Sequence, residues 1–173
     1  MATAHSTELY SLGKGILSFD RLVGGTPSGL RDMGNATAFT IQPTIEKLEH
    51  FSSREGVKKK DKTAILSAAL SVKFTLDEYD KENLAMALFG SVAGSVINLL
   101  DTTLVEGHIK FVGAGDYGPK FQVDLWYCSL NASAEVPFIS EDWGTIQFEG
   151  EVLDDSANHP TQPYGTITEI VAS

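Results

Sequence analysis

The amino-acid sequence predicts a mainly β protein, a β-sandwich or barrel with one flanking α-helix. Three observations carry that expectation. Four stretches alternate apolar and polar residues at period two, the pattern of half-buried strands. One segment alone carries helix start and stop signals. The chain has 173 residues, 42% of them hydrophobic and 21% charged, enough for a packed core, with no repeat or low-complexity tract. A single domain over 1–173 is therefore expected.

In chain order, residues 9–19 form a weak strand candidate. Gly24-Gly25 and Pro27-Ser28-Gly29 then mark a turn-rich loop. In 37–42, Phe39 and Ile41 alternate with Thr40 and Gln42. A long extended loop, about 51–63, leads into the strongest strand, 64–76. There Leu66, Ala68, Leu70, Val72, Phe74 and Leu76 interleave with Ser67, Ala69, Ser71, Lys73 and Thr75. The helix is expected over about 75–89. Thr75-Leu76-Asp77-Glu78 fits a capping box, helix formers run from Glu82 to Phe89, and Gly90 stands at the C-terminal cap. Leu84 and Leu88 give it an apolar face. Residues 104–112 are a weaker strand. In 121–128, Phe121, Val123, Leu125 and Tyr127 alternate with Gln122, Asp124, Trp126 and Cys128. In 145–152, Ile146, Phe148 and Val152 alternate with Thr145, Gln147, Glu149 and Glu151. Ala157-Asn158-His159-Pro160 marks a loop before a last weak strand at 164–171.

Motifs for catalysis or cofactors are weak throughout. Gly113-Ala114-Gly115-Asp116-Tyr117-Gly118 matches GxGxxG, but Pro119 and another alternating strand follow. A dinucleotide site needs a helix there to bring backbone amides to the pyrophosphate, so a β-hairpin turn is expected instead. His5, His50, His108 and His159 are scattered, without the i, i+4 spacing of a helical metal site. Gly90-Ser91-Val92-Ala93-Gly94 puts its serine in the wrong place for a nucleophile elbow. Glu141-Asp142 and Asp154-Asp155 read as solvated turn carboxylates, lacking the spaced oxygen ligands of a Ca²⁺ loop. Asn35-Ala36-Thr37 and Asn131-Ala132-Ser133 match glycosylation acceptors, which act only in a secreted chain. Neither a cofactor nor a catalytic function is expected. The lone Cys128 excludes an internal disulfide framework. The apolar run from Leu84 to Leu100 is interrupted by Gly90, Ser91, Gly94, Ser95 and Asn98, so no membrane span or membrane binding is expected. Met1 to His5 lack the basic-then-apolar pattern of a signal peptide, and a soluble protein of a reducing compartment is expected.

Charge is unevenly placed. The formal net charge is −10, and residues 101–173 carry all of it: Lys110 and Lys120 stand against 12 acidic side chains. Tight DNA or RNA binding needs Lys and Arg to neutralise phosphates, so the balance disfavours it. The segment 54–62 is the exception. Arg54, Lys58, Lys59, Lys60 and Lys62 face only Glu55 and Asp61, a local net of +3. It reads as an exposed hairpin-like arm. Lysines often do no more than keep a turn solvated, but a basic arm and an acidic body in one chain favour self-association through unlike patches.

In order and spacing, these features resemble the major tail tube proteins of tailed bacteriophages. The resemblance runs through Leu12-Gly13-Lys14-Gly15, Phe19-Asp20-Arg21, the turn with Gly24, Gly25 and Gly29, and Met33-Gly34-Asn35. It continues through Lys47-Leu48-Glu49-His50-Phe51-Ser52-Ser53-Arg54-Glu55-Gly56 and Asp80-Lys81-Glu82-Asn83-Leu84-Ala85-Met86-Ala87-Leu88-Phe89-Gly90. The segment from Trp143 to Leu153 is more loosely similar.

What the resemblance implies is a sandwich or barrel subunit that forms hexameric rings, which stack into a hollow tube. Each subunit would lend four strands to an inner barrel, and residues 51–63 would form the inter-subunit arm. Strands 37–49 and 64–76 are then barrel candidates, with Thr40, Gln42, Ser67, Ser71 and Lys73 as candidate lumen-facing side chains. About 24 strands spaced ~4.8 Å and tilted ~40° give a backbone diameter near 48 Å. The lumen would be ~38 Å wide, room for a duplex about 20 Å across. An acidic wall would let DNA slide, although a luminal Lys73 cuts against that.

The implied partners are other copies of the chain, other tail proteins such as sheath, tape measure, terminator or baseplate, and double-stranded DNA in transit. The implied location is the virion tail, after synthesis in the host bacterial cytoplasm. Two alternatives stand beside it: a tube subunit of a contractile injection or type VI secretion apparatus, and a β-sandwich binding or adhesin module of a tail tip. The loose aromatic candidates for such a module are Trp143 and Tyr164. An enzyme is a third and more distant class.

Overall fold

The computed structural model describes residues 5–171. Residues 1–4, part of the segment read against a signal peptide, lie outside the described residues. After one turn of 3-10 helix at Thr7–Leu9 come β1 (Gly15–Val23), β2 (Thr26–Pro27), β3 (Arg31–Asp32), β4 (Ala36–Ser52) and β5 (Lys59–Leu76). The helix α1 (Lys81–Ala87) follows, then a small hairpin of β6 (Ser91–Ala93) and β7 (Val96–Asn98). The chain continues through β8 (Val105–Gly113), β9 (Lys120–Ala132), β10 (Ile146–Val152) and β11 (Gly165–Ile170). A mainly β fold with a single α-helix was legible in the sequence, and it is what the described residues form.

Nine strands join in one antiparallel sheet with the order β2-β1-β8-β9-β10-β5-β4; β11 pairs with β9, and β3 with β1. The sheet curls over its own apolar face. Phe39 on β4 lies 5.3 Å, ring centre to ring centre, from Phe111 on β8, although three strands separate them in that order. Between the two halves sit Leu17, Phe19, Val72, Phe74, Leu76, Ile109, Cys128, Leu130, Ile146 and Phe148, all buried. Phe74 and Phe148, paired across β5 and β10, stack at 5.0 Å. This sandwich-like layer forms because each strand places one alternate set of side chains on the same side.

The helix is shorter than the expected 75–89. Thr75 and Leu76 are strand residues that pair with Gln147 and Ile146, so sheet pairing overrides the capping-box pattern. The N-cap is Asp80, whose side chain makes no capping bond; its carboxylate takes an ion pair from Arg31 at 2.9 Å instead. Arg31 also donates to Asn83 Oδ1 at 2.6 Å, while Asn83 Nδ2 donates to the Met33 carbonyl at 2.9 Å. The fully buried Asn83 thereby pins α1 to the segment around β3. At the other end Phe89, with φ of 50°, takes the left-handed position expected of Gly90. Gly90 is required for a different reason: a Cβ there would lie 2.4 Å from the Asn98 carbonyl oxygen.

Residues 9–14 are not strand; β1 starts at Gly15 and takes β8 as its neighbour. The GxGxxG segment is the β8–β9 hairpin turn. A Cβ on Gly118 would come within 2.4 Å of the Tyr10 carbonyl, so the N-terminal segment packs where a side chain would otherwise be. No described helix is long and apolar enough to cross a membrane.

Candidate functional site

The expected loop 51–63 is mostly strand. β4 runs to Ser52 and β5 starts at Lys59, leaving only residues 53–58 between them. Cross-strand pairing carries the charged run: Ser52 faces Lys59, Phe51 faces Lys60 and His50 faces Lys62. β10 leaves β5 at Leu70, opposite Val152, so β5 residues 59–69 pair with β4 alone. The nine β4 residues from Thr44 to Ser52 extend about 30 Å beyond that point as a two-stranded arm. Register shifts at Glu46/Lys47 and His50/Phe51 interrupt it, and bulges of this kind add twist.

The five arm cations differ in their partners. Lys59 pairs with Glu55 at 3.2 Å, and Lys60 with Glu49. His50 Nδ1 lies 2.5 Å from Asp61 Oδ1. Among the described residues this leaves Arg54, Lys58 and Lys62 without a carboxylate partner. Val57 projects beside them, 73% exposed.

The side chains read as lumen-facing fall on one sheet face. Thr40 lies opposite Lys73, and Gln42 opposite Ser71. Ser67, opposite Glu46 and donating to its Oε2 at 3.1 Å, lies on the same side but beyond the last β10 pair, at the base of the arm. Sequence reasoning missed their companions. Glu149 and Glu151 on β10 oppose Lys73 and Ser71, and Asn131 and Ser129 on β9 complete the row. Lys73 Nζ lies 3.5 Å from Glu149 Oε2, so the charge of Lys73 is already compensated. The alternation in 145–152 had separated Glu149 and Glu151 from the apolar set; which strand they would stand beside was not legible. Of these, Ser71, Lys73, Ser129, Asn131, Glu149 and Glu151 line an open trough of about 400 Å³.

A second surface lies at the opposite end of β5. Because Leu76 pairs with Ile146, the loop from 133 to 145 stands at the far end from the arm. In it Ile139 and Trp143 are 98% and 94% exposed. Tyr79 donates a hydrogen bond to the Pro137 carbonyl at 2.7 Å and meets Phe138 edge to face, 6.3 Å between ring centres. Gly144 permits this, since a Cβ there would lie 2.6 Å from the Tyr79 hydroxyl. Tyr79, Phe138 and Trp143, with Asp77 and Asp142, line an open cleft of about 330 Å³. Tyr164 does not line it; its carbonyl accepts from the Trp126 amide, where the chain enters β11.

Two of the scattered histidines pack against one tryptophan. His159 stacks on Trp126 at 4.1 Å with its Nδ1 2.8 Å from Asp155 Oδ2, and His108, 3.1 Å from Asp124, lies against the same indole. Trp126 Nε1 donates to the Gln162 carbonyl at 2.9 Å. These contacts fasten the loop between β10 and β11 to the sheet. In that loop, hydrogen bonds from the Ser156 hydroxyl and amide hold the Asp154 carboxyl below its ordinary range. Among the described residues no three His, Cys, Asp or Glu side chains converge on a metal position.

The model of a family described as "Protein of unknown function UCP028589" matches residues 10–110. The chain belongs to this family. The matched part of this family member takes in β1 to β7, most of β8, the arm and two strands of the polar face, and stops before the Phe138–Trp143 loop. No curated protein matches the chain.

Proposed function

We propose that this chain is a structural subunit of a bacteriophage tail tube. In this reading it assembles into hexameric rings that stack into a conduit for DNA ejection into a bacterial host. The observation that carries the reading is β4, a 17-residue strand at the end of the sheet order with its outer edge unpaired among the described residues. An edge of that length is a template for another chain unless the native assembly covers it. Pairing with a neighbour's edge satisfies its backbone groups and turns an aggregation hazard into a contact.

The polar face next to that edge supports the same reading. It presents Thr40, Gln42, Ser71, Lys73, Glu149 and Glu151, with Lys73 neutralised by Glu149. As a lumen wall it would repel phosphates and let a duplex pass without sticking. Sheath, tape measure, terminator and baseplate proteins are the further partners such a tube would meet in the virion tail.

The exposed Phe138, Ile139 and Trp143 favour a second reading, a β-sandwich binding module of a tail tip. A tube subunit of a contractile injection apparatus would share the assembly and differ in cargo. Negative-stain electron microscopy over a range of salt and protein concentration separates these. Hollow filaments or six-fold rings with a channel wider than a duplex are the expected result. A monodisperse monomer throughout would overturn the tube reading and favour the binding module.

A further inference from the structure

The arm tip and the aromatic cleft are matched in chemistry and placed so that one molecule cannot join them. The tip carries Arg54 and Lys58, both unpaired among the described residues, on either side of the exposed Val57. The cleft carries Tyr79, Phe138 and Trp143 with Asp77 and Asp142, and the loop 133–145 holds Glu135, Glu141 and Asp142 without any Lys or Arg. Aromatic faces beside carboxylates receive guanidinium and ammonium groups, by cation–π attraction and by ion pairing. Within this chain cations are concentrated at the arm: five of its 13 Lys and Arg lie in 54–62.

We propose that the arm tip of one copy, with Arg54 and Lys58 flanking Val57, seats in the Tyr79–Phe138–Trp143 cleft of a second copy. The docking rests on the self-assembly reading above and names its axial contact. A chain cannot satisfy it alone, because the 18 residues of β5 hold the two surfaces about 59 Å apart. The contact is therefore heterologous: unlike patches meet, and a docked pair retains one free arm and one free cleft. Seating covers Trp143, the kind of central aromatic that dominates interface energetics, while the charges set orientation.

Cysteine cross-linking tests it directly. The native Cys128 is fully buried, and burial pushes its thiol up to about 12, so it stays out of disulfide exchange. One preparation carries Lys58→Cys, another Ser140→Cys, both exposed positions. Under mild oxidation the mixture is expected to give covalent dimers containing one copy of each. A second pair of variants checks the chemistry. Arg54→Glu with Lys58→Glu, and Glu141→Lys with Asp142→Lys, should each reduce assembly at least tenfold by sedimentation. Mixing the two should restore it, since each reversed surface then meets its complement. Assemblies that form normally without the mixed disulfide, or that ignore both reversals, overturn this docking and leave the tube reading standing. A wild-type chain that stays monomeric at every salt and concentration, without cross-link, overturns both.

Discussion

The two halves of β5 share one sequence pattern and differ in what covers them. From Leu70 to Leu76 the strand lies between β4 and β10, and Val72, Phe74 and Leu76 are buried. From Lys59 to Ala69 the alternation continues through Leu66 and Ala68, yet every residue is exposed, with Ile65 at 67% and Leu66 at 56%. Periodicity therefore defines a face; it does not supply the element that packs against it. The covered half stabilises the monomer, whereas the bare half is surface held out for something outside it.

The contrast can be broken at its centre. Phe148→Ala removes the ring stacked on Phe74 and should cost about 3–5 kcal/mol in urea unfolding, unless the core collapses around the void. Asn83→Ala attacks the cover from the helix side. Arg31 and the Met33 carbonyl would lose a buried partner, and about 2–3 kcal/mol should disappear in the same assay. Leu100 is bare for a third reason, 81% exposed with φ of 54°, where its side chain gains little and its backbone is strained. Leu100→Gly should gain about 1 kcal/mol, read as a raised Tm. The arm gives the smallest effect. Ile65→Ser with Leu66→Ser should shift monomer stability by no more than about 0.5 kcal/mol. A larger loss would show that the arm folds back as part of the core.

Much of the fold was legible because its strands are half-buried, and half-buried strands write their period into the sequence. The long central strands, the hairpin at the GxGxxG segment and the presence of one helix between the two sets of strands all follow from local chemistry. The failures were local rules outweighed by distant partners. Thr75 fits a capping box, but Gln147 holds it in the sheet. Gly90 fits a helix cap, but Phe89 takes the left-handed turn and Gly90 serves the close approach of Asn98. The lysine run at 58–62 looks like loop, but from Lys59 onward cross-strand partners such as Glu49 hold it in strand.

The candidate surfaces divide in the same way. The arm cations announced themselves as a charge run, and Thr40, Gln42, Ser71 and Lys73 through alternation. Glu149 joined them only through the β5–β10 register. Trp143 stood out in sequence together with Tyr164, which lies elsewhere; Tyr79, distant in sequence, joined Trp143 and Phe138 only once β5 and β10 were paired.

The length of β5 has a consequence for growth. Objects with chemically different extremities, joined end to end, always terminate in two different ways. One terminus would offer cationic hairpins and the other acidic aromatic clefts, however many copies lie between. A template that presents one of these would start elongation in a single sense, and a stopper shaped for one terminus would find no purchase on the other. Polarity of the finished object would thus already be written into the single subunit.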